Sequence, residues 1–62
     1  MMATVRDACE RALTTEWQYT ADIARVVGVR SGTAHRSLSK LMLYGVCEKR
    51  PGEVGTQWRL RA

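Results

Sequence analysis

Residues 28–50, GVRSGTAHRSLSKLMLYGVCEKR, decide how this chain folds. Gly28 followed by the aliphatic Val29 is a turn signal, because a left-handed residue closing a helix is least costly as glycine. From about Ser31 to Tyr44 the residues Ala34, Leu38 and Leu41 fall on one helical stripe, and Gly45 supplies a stop. At about 100° per residue the opposite face carries Gly32, Arg36, Ser39, Lys40 and Leu43, with Thr33 and His35 on its flanks. That face is polar at its start and basic through its middle.

Working back toward the N-terminus, Ile23, Ala24 and Val27 define a second helix over about Ala21 to Val27. Thr20 is placed to cap it, and Asp22 suits its positive end. Gly28 then ends that helix, so the pair of helices and the tight connection between them form a helix-turn-helix. Further back, Val5, Ala8, Cys9, Ala12 and Leu13 recur at helical spacing and predict a first helix from about Val5 to Leu13. Thr4 with Asp7 three residues later is an acidic variant of the capping box. Thr14 and Thr15 end that helix, and Trp17 to Thr20 alternate large aromatic with polar, as a short half-buried strand does.

Toward the C-terminus, Val46 to Arg50 and Thr56 to Arg61 read as two strands around a turn from Pro51 to Gly55. Trp58 and Leu60 share one side of the second strand and are expected to pack on the helices. Gln57, Arg59 and Arg61 then face the other way. Trp17 and Tyr19 are expected against the first helix. The fold class is therefore α+β, mainly α: three helices, a small antiparallel sheet and a C-terminal hairpin, in one domain spanning residues 1–62.

Charge is split along this plan. Before Ile23 the chain has two basic side chains, Arg6 and Arg11, against four acidic ones; from Ile23 onward it has eight basic against two acidic. The formal net charge is +4, and the excess lies where the third helix and the hairpin are predicted. A polyanion is the natural partner of such a surface. Sixty-two residues leave room for one modest core, since a chain of this size buries only roughly 60% of the surface it exposes when unfolded.

Other classes fit less well. No apolar run approaches the roughly 18 residues of a membrane span, and no secretory leader is expected, which points to a cytoplasmic protein, nucleoid-associated if prokaryotic, or otherwise a nuclear one. Cys9 and Cys47 lack C-x-x-C spacing and have a single histidine to join them, so they read as small buried thiols and no metal or cofactor is expected. There is no phosphate loop, paired-carboxylate pocket or nucleophile with a base, so no enzyme is expected.

The segment quoted above, followed by TQWRL at 56–60, resembles the recognition helix and wing of winged helix-turn-helix regulators of the MarR, ArsR and IclR kind. Gly28 and Val29 match the turn, Leu38 and Leu41 the leucines three apart, Gly45 to Arg50 the start of the wing, and Trp58 and Leu60 the returning strand. The resemblance spans about residues 5 to 61. Arg30 departs from it, standing where the family usually has a capping Ser or Thr, and Ser31 is expected to take over that cap. Trp58 also stands where Z-DNA-binding winged helices carry a tryptophan. Their asparagine, tyrosine and paired prolines are replaced here by His35, Ser39 and the segment Gly55, Thr56 and Gln57, so Trp58 is read as core.

The resemblance implies a sequence-preferring double-stranded DNA-binding protein, a small transcriptional regulator with helix 31–44 in the major groove and the 46–61 wing on the phosphate backbone, and the compact size fits an expected prokaryotic or viral regulator. Arg36 is the first candidate for reading a base edge, with Thr33 and His35 behind it. His35 reads equally well as a flank residue of the core. Arg30, Ser31, Ser39, Lys40, Lys49, Arg50, Arg59 and Arg61 complete the expected DNA-contacting set, against the plainer reading that they cap or are solvated. A homodimer or a protein partner is expected to add to a small footprint, with Leu43 and Met42 as the contact. The alternative is a protein-protein adaptor using Leu43, Met42 and Val54.

Overall fold

The structure, a computed structural model, describes residues 4–61. They form α1 (Val5–Ala12), β1 (Gln18–Tyr19), α2 (Thr20–Val27), α3 (Ser31–Leu43), β2 (Cys47–Gly52) and β3 (Gly55–Leu60). This is the α+β, mainly helical architecture with a C-terminal hairpin that the sequence predicts. The three strands form one antiparallel sheet in the order β1-β3-β2.

Local chemistry sets most of the boundaries. At the start of α1 the Asp7 amide donates to Thr4 Oγ1 at 3.1 Å and the Thr4 amide donates to Asp7 Oδ2 at 3.5 Å, so both halves of the capping box form. The α2 helix ends at Gly28, whose φ of 85° is left-handed, and the amides of Gly28 and Val29 both bond to the Ala24 carbonyl. Tyr44 caps α3, and Gly45 follows it at φ 80°.

Two capping expectations are corrected. Tyr19, not Thr20, is the N-cap of α2, and Thr20 is the first helical residue, with its hydroxyl turned to the hairpin. Likewise Arg30 is the N-cap of α3 and Ser31 its first helical residue, with no side chain capping the end. In both cases the backbone leaves the extended region one residue before the hydroxyl-bearing side chain. That hydroxyl is therefore past the position from which it would reach the first free amides.

The core joins all three helices to the hairpin. Cys9 and Leu13 come from α1 and its end, Ile23 and Ala24 from α2, Ala34, Leu38 and Leu41 from α3, Cys47 from β2 and Trp58 from β3. Val5, Val27, Val29, Met42 and Leu60 pack around them half-buried. The buried Leu13, Ile23, Leu38 and Leu41 each contribute about 1.5 to 3 kcal/mol. Met42 belongs to this shell, which corrects its expected role as a free contact residue; its neighbour Leu43 is 80% exposed.

The hairpin is longer and its turn tighter than expected. Pro51 and Gly52 belong to β2, Gly55 begins β3, and Gly52 pairs with Gly55 across a two-residue tip of Glu53 and Val54. Proline is tolerated there because β2 is an edge strand, where a missing N–H interrupts no second ladder. A Cβ on Gly52 would lie 2.7 Å from Tyr19 Cε1 and 2.8 Å from the Gly55 carbonyl oxygen, so glycine is required by space.

Trp17 and Tyr19 do not take their expected place against α1. Tyr19 lies on Gly52, and the Trp17 ring lies over the guanidinium groups of Arg50 and Arg59, each 4.4 Å from its centroid. The reason is the short reach of β1, which pairs with β3 through Gln18 and Tyr19 alone. Its flanking tryptophan is thereby delivered to the sheet.

Candidate nucleic-acid interface

The α3 helix has 13 residues, about 20 Å of axis at the usual rise, and contains no carboxylate. Its inner stripe of Ala34, Leu38 and Leu41 is fully used by the core. Burying that stripe turns the opposite face outward. Ser31, Gly32, Thr33, His35, Arg36 and Lys40 are exposed, as is Arg30 just before them, while Ser39 is half-buried.

Lys49 joins this set from the hairpin. Its Nζ lies 5.9 Å from the centroid of the Trp58 ring, and His35 meets the same ring from α3 with centroids 5.3 Å apart at 77°. A fully buried indole thus has one basic residue of β2 and one imidazole of α3 against its ring. His35 is neither a core residue nor a free side chain: it is exposed and braced by Trp58.

Electrostatics favour the same side. Among the described residues the ion pairs are Arg25 with Asp22, at 3.5 Å and largely exposed, and Arg59 with Glu48. Arg30, Arg36, Lys40 and Lys49 have no carboxylate partner among them. Their charge therefore projects into solvent.

Arg50 and Arg59 lie elsewhere. They sit with Trp17 on the outer face of the hairpin, where Arg59 is half-buried on Glu48 and the Arg50 Nε donates to Gln57 Oε1 at 2.7 Å. Arg61 is exposed at the end of the chain, where its amide bonds to the Val46 carbonyl. The eleven residues singled out from sequence thus divide into a group on α3 with Lys49, a stacked pair behind the hairpin, and Arg61 alone.

Two neighbours escaped the sequence reading. Arg6 of α1 lines a cleft with Arg36 and Lys40, and its guanidinium stacks on Tyr44 at 5.4 Å. It extends the cationic face from a segment whose overall balance is acidic, so only the folded chain reveals it. Thr20 borders a second cleft, of about 570 Å³, between the hairpin tip and the first turns of α2 and α3, which also carries Ser31, Gly32, His35 and Val54.

The cysteines lie inside the core. Cys9 and Cys47 are buried free thiols, with their pKa values raised by burial and, for Cys47, further by Cys9. Cys47 donates its S–H to the Leu38 carbonyl at 3.5 Å. Among the described residues no cluster of three metal-ligating side chains occurs, and no helix is long and apolar enough to cross a membrane. Compared with protein-family models, curated proteins and solved structures, the chain finds no match.

Proposed function

We propose that this chain is a winged helix-turn-helix DNA-binding module that lays α3 in the major groove of a duplex, with Lys49 and the hairpin against the backbone. The observation that supports this reading is the outward face of α3: exposed cations and small polar residues, no carboxylate, and no carboxylate partner for them among the described residues. The major groove, about 12 Å wide, admits such a helix. Arg36, central on that face, carries base readout, because a guanidinium engages guanine O6 and N7 together. Arg30, Lys40, Lys49 and Arg6 neutralise phosphates.

A module of this size buries roughly 600 to 1,000 Å² on DNA, so a second copy or a protein partner is part of the proposal. Leu43, 80% exposed beside the basic face, is the residue offered for that contact. The same exposure, with Val54 at 82%, favours the second reading of a protein-protein adaptor. An electrophoretic shift with mixed-sequence duplexes at moderate salt separates the two. Retardation at micromolar protein supports DNA binding, and free duplex throughout supports the adaptor.

A further inference from the structure

We propose that Thr20 is a positioning residue: its hydroxyl latches the hairpin to α2 and, through Trp58, fixes Lys49 and His35 for the duplex. The part concerning the duplex rests on the DNA-binding reading above. The latch itself does not.

The geometry is specific. Trp58 Nε1 donates to Thr20 Oγ1 at 2.7 Å, and the Thr20 hydroxyl donates to the Thr56 carbonyl at 3.1 Å. One side-chain oxygen therefore accepts from a residue of β3 and donates to another two positions earlier, gripping the central strand close to the hairpin tip. The Trp58 side chain is fully buried, so its N–H has no water to fall back on. As the first helical residue of α2, Thr20 is past the capping position, and its hydroxyl turns to the hairpin instead.

The indole that Thr20 holds is the one that His35 and Lys49 both contact. Rotation of the ring would displace an imidazole of α3 and an ammonium of β2 together. A hydroxyl on α2 thus governs where two residues on other elements present themselves. Valine at position 20 keeps the shape of the side chain and removes both bonds; serine keeps both bonds and removes only a methyl group.

The test compares the unmodified chain, Thr20→Val, Thr20→Ser and Lys49→Ala. In the free proteins, NMR of the His35 ring protons reads the ring current of Trp58. The proposal expects these resonances to move toward exposed-histidine values in Thr20→Val and to stay in Thr20→Ser. On a mixed-sequence duplex, Thr20→Val should lose about one phosphate contact from the salt slope, about threefold in the change of affinity between about 50 and 200 mM salt. Lys49→Ala added to Thr20→Val should remove little more, and Thr20→Ser should restore the slope.

Unmoved His35 resonances in a folded Thr20→Val protein would overturn the latch. An affinity loss with an unchanged salt slope would overturn its role on DNA. If the unmodified chain binds no duplex, the DNA reading falls, while the histidine resonances still decide the latch. If Thr20→Val does not fold, exchange of the Trp58 indole proton in the unmodified chain decides: protection of about tenfold or more over a free indole supports the latch, and none overturns it.

Discussion

His35 and Trp58 meet edge to face, ring centroids 5.3 Å apart and planes at 77°. This is the arrangement in which ring quadrupoles attract, worth about 0.5 to 1.5 kcal/mol beyond buried area. His35→Ala is therefore expected to lower stability by about that amount, and His35→Phe to restore most of it. Urea unfolding of the two variants checks this; equal losses in both would show that the ring contact contributes nothing.

Trp58 itself ties the hairpin to the helices. Trp58→Ala removes the largest fully buried side chain and leaves Thr20 without its donor. A loss of about 3 to 5 kcal/mol is expected, enough to unfold most of a domain this small at room temperature. Far-ultraviolet circular dichroism and a thermal melt would read it. A cooperative melt at the unmodified temperature would contradict the packing described.

Arg36 and Lys49 are expected to fail differently on DNA. Arg36→Ala should flatten the preference among duplexes, by about 1 to 3 kcal/mol at one base pair, whereas Lys49→Ala should weaken every duplex alike. Dissociation constants on a panel of single-base variants separate the two patterns. A uniform loss for Arg36→Ala would assign that guanidinium to the backbone.

Salt should act strongly. With about four phosphates neutralised by Arg30, Lys40, Lys49 and Arg6, the binding constant is expected to fall roughly a hundredfold between about 50 and 200 mM salt. Fluorescence anisotropy across that range gives the slope. A flat response would mean that these cations do not meet phosphates.

The buried thiols fix a pH dependence. Burial raises the pKa of Cys9 and Cys47, so the folded chain holds their protons at pH values where the unfolded chain, near about 8.5, has begun to release them. Their contribution to stability is full below the unfolded value and is lost as pH rises through the folded ones. Denaturant midpoints should decline above about pH 8.5, and Cys9→Ala with Cys47→Ser should blunt the decline. Thiol-reactive probes should label the native chain only as fast as it opens.

The sequence carried the helices because each signal is local. Thr4 with Asp7, Gly28 at a left-handed turn, and the spacing of Ala34, Leu38 and Leu41 depend on neighbours within two turns. What it did not carry depends on residues far apart in the chain. The hydroxyl of Thr20 is chemically suited both to a cap and to a tertiary bond, and its place one residue into α2 together with its nearness to Thr56 and Trp58 decides for the second. Pro51 and Gly52 signal a turn by composition, yet pairing with Thr56 and Gly55 draws them into the strand. The basic face was legible as charge, but its division was not: alternation along β2 sends Lys49 toward Trp58 and Arg50 toward Trp17.

The edge strand also bears on how the molecule behaves in a crowded solution. An open sheet margin invites strands from other molecules to add on and seed fibrils. Here that margin displays two cations at Lys49 and Arg50 and an imino acid at Pro51, which has no amide hydrogen to offer an incoming strand. The hairpin is thus guarded against growing into a polymer by the residues that also give it its charge.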